Sequence, residues 1–152
     1  MPTTIPLSES LIGTWELISR VDRTKTGERR IEPTLGEDPI ALLIYDRGGH
    51  FAAQFMKRDR GANSEVGATT GTAPMGNNTR ALGGYDAYFG TYTIDDANGT
   101  VTQTLTAALS PENVGQVLTR EMTVDGDTLT IEIAMTDRAG TITRTLTWTR
   151  VG

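Results

Sequence analysis

Threonine alternates strictly with larger side chains in the C-terminal segment of the chain. Threonine occupies every second position from Thr141 to Thr149, and the positions between them hold Ile142, Arg144, Leu146 and Trp148. Successive side chains of a β-strand point to opposite faces, so this period of two predicts a strand with one buried face. The same period recurs at 100–109, 117–124 and 127–135, whereas segments of helical period are scarce. The chain is therefore predicted to be all-β.

Turn signals divide the chain into eight long predicted strands, and Asp125-Gly126 is typical of a two-residue hairpin turn. The predicted strands are 12–22, 40–45, 50–57, 87–95, 100–109, 117–124, 127–135 and 141–150. An even number allows the last strand to pair antiparallel with the first, which closes a barrel without free edges. Because 28–31 can add a short strand, we expect an antiparallel up-and-down β-barrel of eight to ten strands.

The connections between these strands fall into two classes, one at each end of the predicted barrel. Short turns at 46–49, 96–99 and 125–126 lie at the end that holds Trp15, and longer loops lie at the other end. The longer loops are 23–39, 58–86, 110–116 and 136–140. We expect one closed end, capped by a helical turn at 6–10, and one open end with long loops. An eight-stranded barrel is about wide enough to hold one small ligand.

The loop 58–86 has neither helical nor strand period, and a loop of this length is usually functional or disordered. We expect it to be a mobile cover over the open end, with a short helix at 78–86. Its glycine-rich part lacks the Gly-Lys-Ser/Thr sequence that a phosphate-binding loop requires.

The predicted first strand contains the largest apolar side chain near the N-terminus, Trp15. Its alternation places Leu11, Trp15, Leu17 and Ser19 on one face and Thr14, Glu16 and Arg20 on the other. Trp15 is too large to leave in water, so we expect it to plug one end of the core. Residues 40–45 are apolar on both faces and predict a strand buried on both. In 100–109 the predicted inward face includes Gln103, Leu105 and Leu109.

Composition excludes several classes of protein and of site. The 152 residues are long enough for one domain with a substantial core, and there are no cysteines for disulfides or thiolate metal sites. The net charge of -5 argues against nucleic acid and anionic membranes as partners. No leader or membrane-spanning stretch is recognisable, so a cytoplasmic protein is expected. The single histidine, His50, lies beside a turn, and no catalytic triad, metal cluster or cofactor is expected.

Polar side chains on the predicted inward faces are the candidate site. Arg120 and Arg144 interrupt rows of Leu, Ile and Met, and a buried charge must be paired or hydrogen-bonded. Each arginine either pairs with a structural carboxylate or anchors an anionic or carbonyl group of a ligand. The predicted ligand-binding residues are Gln54, Tyr88, Tyr92, Gln103, Leu105, Arg120 and Arg144. The predicted apolar floor below them is Trp15, Leu17, Leu105, Ile131 and Leu146.

Gly13-Thr14-Trp15 resembles the G-x-W sequence that opens lipocalins and their relatives. In that superfamily an arginine on the last strand packs over the tryptophan, so the resemblance implies a structural contact between Arg150 and Trp15. Further segments resemble the bacterial and fungal lipocalin-like domain family. They are 11–19, 44–51, 54–58, 85–92, 109–111 with 114–115, Arg120 and 125–129.

The resemblance implies a β-barrel with a central cavity, in a group that includes ligand carriers and cofactor-free cyclases. The chain departs from many members, which carry a His-His pair and a later Asn-Trp. This chain has Gln103-Thr104 and Glu112-Asn113 at those places. Chemistry that depends on the histidines therefore does not transfer to this chain.

Three functions remain open. The first is binding of one small, largely apolar molecule with a polar or anionic handle. The second is a cofactor-independent isomerase, cyclase or lyase of a polyketide- or terpenoid-like substrate, with Tyr88, Arg120 and Arg144 as catalytic candidates. The third is a subunit whose cavity is filled by its own side chains, and a homodimer is also left open. A cavity would argue against the third, and a tyrosine or carboxyl group with a shifted pKa inside it would favour the second.

Overall fold

The computed structural model describes residues 5–59, 78–137 and 140–152. Within these ranges the chain forms nine β-strands, one α-helical turn and one 3-10 turn. They are α1 (Leu7–Ser10), β1 (Gly13–Thr24), β2 (Arg29–Arg30), β3 (Ile40–Tyr45), β4 (His50–Met56), β5 (Tyr85–Asp95), β6 (Thr100–Ala108), the 3-10 turn (Pro111–Asn113), β7 (Val117–Asp125), β8 (Thr128–Asp137) and β9 (Gly140–Arg150). None of the described helical segments is long and apolar enough to cross a membrane.

The strands form a closed antiparallel barrel. Eight of them follow one another around it in the order β1, β3, β4, β5, β6, β7, β8 and β9, and β9 pairs again with β1. The short β2 is an extra strand that pairs with β1 at Asp22 and Arg23. The predicted all-β up-and-down barrel is confirmed, including the short strand within 28–31. In this strand order β5 and β9 lie on opposite sides of the barrel.

A β-bulge in β1 reverses which side chains face inward. The register against β9 shifts between Leu17 and Ser19. Before the shift Trp15 points inward, and after it the buried residues are Arg20 and Asp22. The expectation that Arg20 faces outward is therefore wrong, because an extra residue in one strand changes the phase of the alternation. The bulge brings a positive and a negative side chain into the barrel.

A second register shift lies between β5 and β6, after Phe89 and before Gly90. A Cβ atom on Gly90 would lie 1.8 Å from the carbonyl oxygen of Thr104, so only glycine fits at this close approach. Past the shift, Leu109 is 46% exposed, and the expectation that it points inward is wrong. Gln103 and Leu105, which precede the shift, point inward as predicted.

The β3 strand is buried on one face rather than two. Ala41, Leu43 and Tyr45 are in the core, whereas Ile40, Leu42 and Ile44 are 45%, 39% and 38% exposed. Sequence alternation could not separate the two faces because both are apolar. The inward faces predicted for β7, β8 and β9 are confirmed, and their buried apolar residues are Leu118, Met122, Leu129, Ile131, Ile133, Met135, Ile142, Leu146 and Trp148.

The closed end is plugged by Trp15 and held by Arg150. The Arg150 guanidinium carbon lies 4.3 Å from the centroid of the Trp15 ring, which is the contact that the lipocalin resemblance implies. Arg150 also donates hydrogen bonds to the carbonyl oxygens of Ile12 (2.8 Å) and Ser10 (2.6 Å). The predicted helical turn is α1, and its Ser8 hydroxyl donates to Asp96 in the β5–β6 turn at 2.7 Å. This end is closed by apolar packing and short connections.

The long loops lie at the other end. The expected cover at 58–86 falls mostly on residues 60–77, which lie outside the described residues. The helix expected at 78–86 is wrong: Asn78–Ala81 is irregular, Leu82 and Tyr85 form an isolated bridge, and β5 already begins at Tyr85. The irregular stretch is held by Asn113, whose amide accepts from the Arg80 backbone N–H (2.9 Å) and donates to its carbonyl (3.0 Å).

Candidate functional site

A small polar cavity lies at the open end of the barrel, with a volume of about 40 Å³. It is lined by Arg20, Glu32, Thr34, Leu35, Phe55, Asn78, Thr79, Ala81, Asp86, Tyr88, Arg120, Ile133, Arg144 and Leu146. A single buried water needs roughly 10–15 Å³, so the cavity has room for a small group. Sites that enclose a drug-sized ligand have on the order of 300–1,000 Å³. The cavity therefore suits the polar head of a ligand rather than a whole large molecule.

Arg144 is held by a carboxylate on the neighbouring strand. The β1–β9 register places Asp22 directly opposite Arg144. The Arg144 Nε and Nη2 atoms donate to the two Asp22 carboxylate oxygens at 2.7 Å and 2.9 Å, and Nη1 donates to the Asn78 side chain at 3.4 Å. This two-point contact is the strong geometry for an arginine and a carboxylate. The sequence leaves two roles open for Arg144, pairing with a structural carboxylate or anchoring a ligand. The structure shows the first, an ion pair with Asp22.

Arg20 is held by the loop between β2 and β3. Its Nη2 atom lies 3.2 Å from Glu32 Oε2, and both side chains are buried. The Glu32 carboxylate also accepts hydrogen bonds from the Thr34 backbone N–H and hydroxyl. Burial opposes ionisation of Glu32, but the charge of Arg20 and the Thr34 hydrogen bonds outweigh it and hold its pKa below the usual value. Burial and the like charge of Arg144 lower the pKa of Arg20 to about 10.

Arg120 reaches the cavity from β7 and is 5% exposed. Its Nη1 atom donates to the Thr119 carbonyl oxygen at 3.2 Å. Burial lowers the pKa of Arg120, and the tyrosines Tyr88 and Tyr45 act in the opposite direction. Arg120 therefore presents a desolvated cation beside tyrosine hydroxyls.

Asp86 is a buried carboxyl group on the cavity wall that sequence reasoning missed. It is 3% exposed, and burial raises its pKa to about 7 even though hydrogen bonds and the charges of Arg20 and Arg144 act against the shift. Its Oδ2 atom accepts from the Thr79 hydroxyl at 2.5 Å, and Asn113 Nδ2 lies 3.5 Å from Oδ1. A carboxyl group with this pKa exchanges protons at neutral pH.

Tyr88 follows Asp86 on the same face of β5. Burial raises the pKa of Tyr88 to about 12, and the nearby Asp86 carboxyl acts in the same direction. The Thr79 side chain acts against this rise in the pKa of Tyr88. The Thr79 hydroxyl donates to Asp86. Thr79 thus lies beside both ionisable groups on this wall.

Among the described residues, the buried charged groups at the open end come close to balance. Three guanidinium groups (Arg20, Arg120 and Arg144) face three carboxyl groups (Asp22, Glu32 and Asp86). With Asp86 protonated this cluster carries one net positive charge, and with Asp86 ionised it carries none. An anionic or carbonyl oxygen that enters the cavity therefore meets a neutral or positive wall.

The structure brings three of the predicted ligand-binding residues to this cavity, namely Tyr88, Arg120 and Arg144. The expectation that Gln54 points inward is wrong, because it lies exposed on the outer face of β4, where it accepts a hydrogen bond from Tyr85. Gln103 points inward but accepts a hydrogen bond from the Tyr45 hydroxyl at 2.6 Å, outside the lining of this cavity.

Tyr92 and Leu105 also lie outside the lining of this cavity. The Tyr92 hydroxyl donates to the Asp46 carbonyl oxygen in a turn at the closed end, and Leu105 is packed in the core. Of the predicted apolar floor, Leu146 borders the cavity, whereas Trp15, Leu17 and Ile131 pack within or against the core. These side chains belong to the apolar core, and the cavity lies beside the buried charges.

A second concave surface lies on the outside of the barrel, across β4, β5 and β6. It has a volume of about 400 Å³ and includes Ala52, Ala87, Phe89, Ala107 and Leu109. Phe89 is 54% exposed there. The groove is apolar, so it offers an alternative place for a hydrophobic ligand. Among the described residues, no group of three His, Asp or Glu side chains could hold a metal ion.

The sequence matches the family model described as a lipocalin-like domain over residues 12–151. Comparison with curated proteins gives no match. Among solved structures, the chain is similar to the zebrafish ileal bile acid-binding protein complexed with cholic acid, with 15% sequence identity and a TM-score of 0.44. That alignment covers 94% of this chain and 100% of that chain. On the family match, which spans the barrel from β1 to β9, the chain belongs to the lipocalin-like domain family.

Proposed function

We propose that this protein binds one small, largely apolar molecule that carries a polar or anionic handle, and that the handle enters the cavity at the open end. The observation that carries the proposal is the convergence of Arg120, Arg144 and Tyr88 on one buried polar cavity. These side chains come from β7, β9 and β5, so the closed barrel fixes their separation. Rigid strands position a binding site more accurately than loops do.

The chemistry of the wall favours an oxygen-bearing handle. Arginine donates several hydrogen bonds in a fixed plane and matches carboxylates and carbonyl oxygens. Asp22 holds Arg144 at two points, which fixes the orientation of the Arg144 guanidinium at the border of the cavity. Away from bulk water a charge-assisted hydrogen bond contributes roughly 1.5–3 kcal/mol. Two such bonds would account for tighter binding of an acid than of the alcohol with the same hydrocarbon chain.

The apolar body of the ligand has a separate place in this proposal. Leu35, Phe55, Ala81 and Ile133 border the cavity at its apolar side. Contact with these side chains removes hydrocarbon from water, which contributes roughly 0.8 kcal/mol for each buried CH₂ group. The cavity volume of about 40 Å³ limits the enclosed part to the handle and the carbon atoms next to it, so these are the atoms that would contact the apolar border.

The experiment compares octanoate with 1-octanol, which share a chain and differ in the handle. Isothermal titration of both into the purified protein is expected to show octanoate bound at least tenfold more tightly. Arg120→Met keeps most of the side-chain volume and removes the charge, so octanoate affinity should fall by about tenfold to a hundredfold. Native mass spectrometry of the untreated protein would then identify any co-purified ligand.

Arg150→Met is the matched control, because it removes the same charge from the closed end of the same barrel. It should leave octanoate affinity unchanged. Equal affinity for octanoate and 1-octanol would contradict the proposal that a polar handle is recognised. An equal loss of octanoate affinity in Arg120→Met and Arg150→Met would contradict a binding site at the open end.

A second candidate is a cofactor-independent isomerase, cyclase or lyase that acts on a polyketide- or terpenoid-like substrate. The observation that favours it is that ionisable Asp86 borders the same cavity as Tyr88 and the arginines. In this candidate Tyr88, Arg120 and Arg144 polarise a substrate carbonyl. Turnover, which a carrier lacks, separates the two candidates.

A further inference from the structure

Asp86 and Tyr88 form one side of the cavity and are two positions apart on the inward face of β5. Side chains at this spacing lie about 7 Å apart along a strand, which leaves room between them for a carbonyl oxygen and its adjacent carbon. Thr79 borders the same cavity, and its hydroxyl donates to Asp86. Arg144 lies on β9, on the side of the barrel opposite β5. Arg120 lies on β7, midway between β5 and β9 in the strand order.

We propose that Asp86 is a catalytic acid–base residue that moves a proton between carbon atoms of an enolisable ketone or enone bound in this cavity. The proposal deepens the proposed function and rests on it, because the carbonyl of the substrate is the polar handle. Tyr88 and Arg120 hold the carbonyl oxygen while Asp86 faces the adjacent carbon.

The proton transfer is balanced within the site. The Asp86 carboxylate removes a proton from the carbon beside the carbonyl, so that a C–H bond breaks and a carboxyl O–H bond forms. The C–H electron pair becomes the carbon–carbon double bond of an enolate, and the carbonyl π pair moves onto oxygen. The carboxyl group then returns the proton to the same carbon or to a conjugated carbon. No redox partner or cofactor is consumed.

The surroundings of Asp86 suit a group that must gain and lose a proton. Its burial favours the neutral acid, whereas Thr79, the Ala87 backbone N–H, Arg20 and Arg144 favour the carboxylate. These opposing influences leave its pKa at about 7, where both forms are populated at neutral pH. The developing enolate oxygen would meet cationic and hydroxyl donors that the barrel already holds in place.

The small volume also suits this chemistry. Phe55, Ile133 and Leu146 border the cavity and limit the water around the reacting carbon. With less water, the hydrogen bonds of Tyr88 and Arg120 to an enolate oxygen are stronger than they would be in solution.

The experiment follows α-hydrogen exchange of cyclopentanone in D₂O by proton NMR, because exchange requires only enolisation. The wild-type protein is expected to accelerate exchange above the buffer rate, with a rate that rises through about pH 7 as Asp86 ionises. Asp86→Asn should lower the protein-dependent rate by about a hundredfold or more. Asp86→Glu keeps the carboxyl group and should retain part of the rate.

Asp125→Asn is the matched control, because it removes the same charge from an exposed position at the closed end. This variant should exchange the α-hydrogens of cyclopentanone at the wild-type rate. No exchange above the buffer rate, or equal exchange in Asp86→Asn, would overturn the proposed role of Asp86.

Octanoate binding separates this role from the proposed function. Asp86→Asn removes a negative charge from the cavity, so it should bind octanoate at least as tightly as the wild type. If octanoate binds both proteins and exchange is absent or unchanged, the binding function stands and the catalytic role is wrong. If octanoate fails to bind the wild type, the binding function itself is wrong.

Discussion

The two ends of the barrel bury side chains of opposite character. At the closed end Trp15 is covered by Arg150, and Tyr45 packs edge-to-face against Tyr92 at 5.0 Å between ring centroids. At the open end the barrel buries Arg20, Arg120, Arg144 and three carboxyl groups around a cavity. One end closes the fold with apolar and aromatic contacts, and the other holds charges out of water.

The difference supports the proposed location of the ligand site. Apolar burial stabilises a fold directly, whereas a buried ion pair often contributes little or nothing relative to an apolar pair of the same size. A chain that needed only a stable barrel could fill both ends with apolar side chains. We infer that the charges at the open end are retained for a ligand, so substitutions at the two ends should have different effects.

The largest effect is expected from Trp15→Ala at the closed end. Trp15 is fully buried, and its removal leaves a void that the rigid barrel cannot fill. The free energy of unfolding should fall by about 3–5 kcal/mol, measured by urea denaturation. A loss below about 1 kcal/mol would mean that the closed end is not the main apolar plug.

Arg144→Met should cost about 3 kcal/mol, because it leaves Asp22 buried without its two-point partner. The double variant Asp22→Asn/Arg144→Met removes both charges and should recover at least half of that loss. Urea denaturation of the four proteins forms a double-mutant cycle. Additive losses would show that the two side chains do not act as a pair.

The Asp22–Arg144 pair also shows how far sequence reasoning reaches. The barrel, its strand order and the inward faces of β7, β8 and β9 follow from period-two alternation and turn residues. Arg20 and Asp22 were missed because a bulge after Leu17 changes the phase within β1, and alternation alone carries no signal of a bulge. A buried Arg144 did imply a carboxylate partner, and Asp22 directly opposite supplies it.

Asp86 and Thr79 could not be found in the same way. They meet because Asn113 holds the irregular stretch at Arg80 across the open end, and such a contact between distant segments leaves no local pattern. Gln54 was misplaced because both faces of β4 carry apolar residues, so its alternation does not specify which face is inward.

Asp86→Asn should change how stability depends on pH. The raised pKa of Asp86 in the fold means that its contribution to stability is present below about pH 4 and is lost as pH rises through about 7. Asparagine does not titrate, so the variant should gain on the order of 2 kcal/mol relative to the wild type between pH 5 and pH 8. Thermal unfolding at both pH values measures this gain. A constant difference across that range would contradict the buried, proton-exchanging carboxyl group.

The smallest effect is expected from Arg150→Ala at the closed end. The guanidinium covers Trp15 and bonds two carbonyl oxygens at a partly buried site, so its loss should cost about 0.5–2 kcal/mol. Octanoate affinity should stay at the wild-type value in titrations carried out well below the melting temperature. Weaker octanoate binding with an unchanged melting temperature would place the ligand beside Arg150 at the closed end, and would contradict the site at the open end.

The central claim is that the ligand meets the buried charges at the open end. Isotope-edited NMR of the protein with octanoate tests it directly through nuclear Overhauser effects from the ligand to methyl groups. We predict contacts to Ile133 and Leu146, which border the cavity, and none to Leu129, which is fully buried outside its lining. Contacts to Leu129, or contacts confined to Ala107 and Leu109 in the outer groove, would contradict the claim.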